Sequence, residues 1–215
     1  MKFFNYLAVI VIVFTFSVSI LAQNNLLKGS DKTLLVTGEE DKNQCFAYQN
    51  YVVKTVHKGG SMTDSGDDKS GDDISVFKRD AASSPQNSCQ TSEKSMLSVT
   101  NTEGNRFRGS FKDYLFIEKN LYPDYSNLEI YNLKSGKIAF KTEYTESDDY
   151  RINLSGGRFL NYSQWSKKQG LLKNCRDAKK WKREGLGINW LQTKRLDLQT
   201  MKEISVGTLR CTSIN

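Results

Sequence analysis

The chain has 215 residues, with 31 Lys and Arg against 24 Asp and Glu, a formal net charge of +7 and 11% aromatic residues. Two prolines and that aromatic content exclude a disordered, low-complexity chain, and the length suits one domain with a sizeable core without demanding a second. The charge is unevenly placed: residues 23–150 hold 16 basic and 20 acidic side chains, whereas residues 151–215 hold 14 and 4, so the basic character belongs to the last third.

Residues 1–22 carry one charge, Lys2, then a nearly unbroken apolar run over 7–16, then the small residues Ser17, Ser19 and Ala22 before the polar Gln23. This is the layout of a secretory signal peptide cleaved after Ala22. The competing reading is a retained anchor, since the apolar stretch nearly reaches the roughly 20 residues of a spanning helix, but no basic stop-transfer cluster follows. The expected product is soluble, secreted or periplasmic, with no transmembrane segment in the mature chain. Residues 23–215 are read as one disulfide-stapled β-rich domain.

Cys45, Cys89, Cys175 and Cys211 are even in number and widely spaced. In an oxidising compartment that pattern predicts two disulfides, and the pairing Cys45–Cys89 with Cys175–Cys211 is favoured because it keeps each bond within one half of the chain. Zinc is the rival use, but close Cys-x-x-Cys spacing is missing and His57 is the only histidine.

Residues 32–37 form a short strand candidate, and residues 45–56, with apolar groups on both faces, read as one long interior strand. Residues 58–73 follow, a tract of Gly, Ser and Asp from which no core can be built. Asp64, Asp67, Asp68, Asp72 and Asp73 offer oxygen ligands, yet the alternating Asp order of a calcium loop with its distal Glu is absent. The tract therefore reads as a mobile connection between neighbouring strands, the second being residues 74–79. Residues 80–93 read as a loop, and residues 96–100 and 106–117 as strands with Phe107, Phe111, Leu115 and Ile117 in the core.

Residues 114–144 read as three strands. In residues 137–144 the larger side chains Ile138, Phe140, Thr142 and Tyr144 alternate with Lys137, Ala139, Lys141 and Glu143, which predicts one covered and one wet face. Gly136 occupies the hairpin position that wants positive φ. Residues 150–154 and 158–165 are further strand candidates around Gly156-Gly157. A single helix is expected over residues 175–184, capped by Asn174 and stopped by Gly185, with Cys175, Ala178 and Trp181 inward and Arg176, Lys179, Lys180 and Arg183 outward.

Residues 188–198 and 202–211 close the chain as a hairpin. Its turn echoes the one at residues 131–137 in an Asn or Asp, a Leu, a Ser or Thr and a Lys at matching offsets. The word resembles the strand-turn-strand unit of β-propellers and other all-β exported proteins. Two copies 65 residues apart do not fit blades recurring every roughly 40–50 residues, and hairpin chemistry alone explains the echo.

For chemistry, His57 has no nucleophile motif near it in sequence, and phosphate-loop and dinucleotide fingerprints are missing. Asp113, Glu118, Asp148 and Asp149 are the weak candidates for a carboxylate-dependent hydrolase. Against an enzyme stands a binding role: Lys167, Lys168, Arg176, Lys179, Lys180 and Arg183 form a candidate anion-binding set, interleaved with Phe159, Tyr162, Trp165 and Trp181, for an anionic polymer or an acidic protein. The competing reading, slightly ahead of it, is that the aromatics are core and the charges only keep an exported domain soluble. An alternative is a secreted inhibitor or a structural component of an envelope assembly, using Tyr122 and Tyr125 in residues 120–125 as a partner loop. No cofactor, metal or catalytic residue is expected. The overall expectation is an all-β, mainly antiparallel single sandwich or flattened barrel of eight to ten strands with one short helix.

Overall fold

The computed structural model describes residues 26–38, 42–59, 70–102, 104–122, 125–145 and 152–214. It is all-β and antiparallel, built from three open sheets in which every strand is hydrogen-bonded to its neighbour in sequence. The first sheet runs β1 (Leu35–Thr37), β2 (Gln44–Ala47), β3 (Tyr51–Lys58), β4 (Gly71–Lys78) and β5 (Leu97–Val99). The second runs β6 (Asn105–Phe111), β7 (Tyr114–Tyr122), β8 (Tyr125–Asn132) and β9 (Lys137–Tyr144). The third runs β10 (Asn153–Ser155), β11 (Phe159–Trp165), β12 (Gly187–Asp197) and β13 (Lys202–Ile214).

The second sheet is the middle layer, and β7 shows why. Successive strand residues point to opposite faces, and here both faces are apolar. Leu115 and Ile117 join Phe46, Tyr48, Val53, Ile74 and Val76 of the first sheet in one core. Phe116, with Leu128 and Ile130 of β8, joins Leu160, Tyr162, Leu196 and Leu198 of the third sheet in another. Leu115, Phe116 and Ile117 are all fully buried. The sandwich therefore has three layers, and its thirteen described strands exceed the expected eight to ten, in part because residues 45–56 hold two strands and not one.

Each outer sheet is finished differently on its far face. On the first sheet, Ala47 and Val52 are covered together with the Cys45–Cys89 disulfide, next to a short helix α1 (Pro85–Cys89). On the third sheet the far face is polar towards the turn. Asn161 and Arg195, hydrogen-bonded at 3.0 Å, stand two residues from the turn pair Phe159 and Asp197, where the middle sheet has Phe116 and Ile130 two residues from Tyr114 and Asn132. Arg158 and Arg195 lie over the Phe159 ring, and Arg158 is also paired with Asp197. A polar outer face is what terminates a stack of repeated sheets.

The two echoing turns adopt one conformation. Asn132 and Asp197 each head the turn with a side-chain oxygen accepting a backbone N–H two residues on, from Lys134 and Gln199. Each also accepts, through its carbonyl, the N–H four residues on, from Gly136 and Met201, both at positive φ (65° and 53°). Leu133 and Leu198 are thereby folded into the two cores.

Several local expectations need correction. Residues 45–56 are two strands and not one, because the chain reverses after Tyr48; both are interior strands of the first sheet, as expected of a segment apolar on both faces. Residues 80–93 contain α1, begun by Ser84, whose hydroxyl accepts the Asn87 N–H, and by Pro85 at its first turn. Ile138 is 47% exposed and does not share the Phe140 face: Ile130 pairs with Phe140 but Tyr131 pairs with Ile138, so Ala139 is an extra residue that flips the alternation. The helix expected over residues 175–184 is the shorter α2 (Ala178–Arg183), preceded by a 3-10 turn (Leu172–Asn174), so the described residues hold two short α-helices and not one. Asp177, not Asn174, is the N-cap residue. The stop at Gly185 is as expected: its φ is 77°, and the N–H groups of Gly185 and Leu186 bond the carbonyls of Lys182 and Trp181 in a Schellman closure.

Candidate functional site

The four cysteines form two bridges, Cys45–Cys89 and Cys175–Cys211, which is the chemistry of an oxidising compartment and leaves no thiol for a metal. Among the described residues no cluster of three or more His, Cys, Asp or Glu side chains is placed to hold a metal ion, and no helix is long and apolar enough to cross a membrane. Residues 1–22 lie outside the described residues, as do Asp64, Asp67, Asp68, Asp148 and Asp149.

The remaining acidic candidates are committed to structure. Asp72 lies 3.1 Å from His57 Nδ1, and Asp73 pairs with Lys58 at 3.6 Å while accepting the Asn101 N–H. Asp113 pairs with Lys134 at 2.7 Å, and the buried Glu118 pairs with Arg108 at 2.7 Å and accepts the Ser126 hydroxyl. Five residues of extended chain separate Asp113 from Glu118 by about 16 Å, beyond the carboxylate spacings of glycoside hydrolysis. The Tyr122–Pro123–Asp124–Tyr125 loop is only partly visible: residues 123–124 and the Tyr122 side chain lie outside the described residues, and Tyr125 is half-buried.

The basic segment is built around the second disulfide. Cys175 and Ala178 are buried with Trp190, and Trp181, Ile188, Leu209 and Cys211 pack against them. The bridge from Cys175 to Cys211 fixes the 3-10 turn and α2 to β13, the neighbour of β12 that carries Trp190. With that stripe turned inward, Lys167, Lys168, Lys173, Arg176, Lys179, Lys180, Lys182 and Arg183 are all exposed. None of these eight is in an ion pair with a described carboxylate.

The aromatic residues interleaved with them in sequence are buried or half-buried. Tyr162 is buried and donates its hydroxyl to Glu203; burial and that carboxylate both push the phenol up from its ordinary value. Phe159 is half-buried among Arg158 and Arg195 on the polar outer face, and Trp181 packs on the disulfide. Arg158 is tied to Asp197, whose carboxyl it holds far below the usual carboxylate range. Trp165 is likewise half-buried, so none of these rings is fully exposed beside the cations as a base-stacking surface would need. In their place it exposes two residues that sequence reasoning passed over: Leu171 is 61% and Leu172 is 51% exposed, immediately before Lys173. The available signal was an adjacent Leu pair between Gly170 and Lys173 with no periodic apolar partner.

No family model, no curated protein and no solved structure matches this chain.

Proposed function

We propose that the protein is exported, loses its leader after Ala22, and acts as a non-enzymatic binding module that holds a polyanionic partner of the envelope or extracellular space through residues 167–183. The observation that supports this is eight exposed cations, none paired with a described carboxylate, gathered around a covalent staple, with Asp177 the one acidic residue among them. Cations on neighbouring turns lie closer together than the roughly 8 Å screening length at physiological salt, so their fields add at the surface and favour multivalent anions. The bridge keeps the segment from collapsing or dispersing its charge.

Retention on a heparin column tests the reading. The native protein is expected to elute late in a salt gradient, and a K179Q/K180Q/R183Q variant, with all three side chains exposed, much earlier. Early elution of the native protein, or co-elution of the two, refutes it. The export part is tested separately, by an amino terminus at Gln23 and the absence of free thiols in the purified protein.

A further inference from the structure

We infer that the polyanion is an anionic lipid bilayer surface, and that Leu171 and Leu172 enter it while the surrounding lysines and arginines sit at the headgroups; this rests on the binding role proposed above. Three features point the same way. Leu171 and Leu172 are among the most exposed large apolar side chains of the described residues, adjacent to each other on one loop. They occupy the tip of a segment bounded by Lys167 and Lys168 on one side and by Lys173, Arg176, Lys179 and Lys180 on the other, all exposed. Finally, Cys175, three residues beyond Leu172, is bonded to Cys211, so the loop is not free to fold its leucines onto the core behind it.

A soluble polyanion explains the cations but gives the two leucines nothing to contact. An anionic membrane satisfies both, because apolar side chains insert to the acyl boundary while basic groups remain at the charged headgroups. An acidic protein face would need a complementary apolar socket, whereas a bilayer accepts any short apolar projection. The contribution of each cation near an anionic surface is roughly a five-fold change in partition, so affinity should depend steeply on both anionic lipid and salt.

The test uses the processed, oxidised protein and sedimentation with three vesicle preparations: phosphatidylcholine alone, phosphatidylglycerol and phosphatidylcholine in equal parts, and the latter in high salt. Binding is expected to the anionic vesicles at low salt only. A L171S/L172S variant, altered at exposed positions and checked by its urea midpoint, should lose at least ten-fold in vesicle partition while keeping native retention on heparin. If the variant sediments like the native protein, or the native protein is held by heparin but not by anionic vesicles, the lipid inference fails and the polyanion reading stands. If neither heparin nor vesicles hold the native protein, both fail. Equal binding to neutral vesicles also overturns it, and identifies bare hydrophobic adsorption.

Discussion

Replacing Glu129 by Gln should destabilise the fold by about 3 kcal/mol at neutral pH, and the loss should vanish in acid. Glu129 lies in β8, its side chain 3% exposed, with Lys119 Nζ at 3.2 Å, Lys141 Nζ at 3.1 Å and the Tyr131 hydroxyl donating at 2.9 Å. At an effective dielectric of 20, each ion pair at this distance is worth about 5 kcal/mol before desolvation is subtracted. Lys141 is 53% exposed, so its share is screened to under about 1 kcal/mol. Lys119, 13% exposed, cannot recover its hydration in full when it loses this carboxylate, and that loss accounts for most of the effect. Gln retains acceptor capacity for the Tyr131 hydroxyl and the Lys119 ammonium, which places the value at the low end of the range for broken buried pairs.

The pH dependence supplies the check. Burial alone would raise the Glu129 carboxyl, but the Tyr131 hydroxyl, Lys141 and Lys119 outweigh it and hold it below its ordinary value of 4.5. A carboxyl depressed in the folded state contributes stability that is complete above its unfolded value and is lost as pH falls through the folded one. Urea unfolding should therefore show native and variant midpoints well separated at pH 7 and converging below about pH 4. A separation of equal size at neutral pH and in acid would mean the variant acts through packing and not through charge, and would refute this account.

Phe116→Ala and Ile117→Ala should each lower stability by about 3 to 4 kcal/mol, since adjacent residues of one strand fill two different cores; urea unfolding followed by tryptophan fluorescence checks this, and a loss under about 1 kcal/mol at either would contradict the three-layer packing. Gly136→Ala should cost about 1 kcal/mol through its positive φ alone, because the nearest atom to an added Cβ, Met96 O, is 3.8 Å away; thermal melts of the variant settle it. Removing the second bridge with C175S/C211S opens a loop of 36 residues and should lower stability by about 4 kcal/mol on loop-entropy grounds. An unchanged urea midpoint would show that the unfolded chain gains nothing from that release.

Class and punctuation were readable from the residues themselves. Alternation in β7 to β9, glycine at the turns, and four spaced cysteines are local signals whose physics acts within a few residues, and they led to an antiparallel, disulfide-linked β protein. The Ala139 bulge escaped because Ile138, Phe140, Thr142 and Tyr144 alternate perfectly as letters, while the pairing with β8 slips between Ile130 and Tyr131. The helix was drawn too long because Asn174 and Asp177 both suit a cap, and only the 3-10 turn anchored at Cys175 chooses between them. Of the candidate site, the cations were legible because a charge run has few ways to be buried. The burial, whole or partial, of the interleaved aromatics was not.

What the amino-acid order determined by itself was therefore the strand chemistry, the turn positions and the excess positive charge of the last third. Tertiary structure decided that β7 is covered on both sides, that the third sheet ends the stack with Asn161 and Arg195, and that Leu171 and Leu172 remain in water beside the lysines. The reason is that a side chain's type sets what it prefers, whereas the second face of a strand and the fate of a loop residue depend on which distant segment arrives to cover them. At Leu171 and Leu172 none of the described segments does.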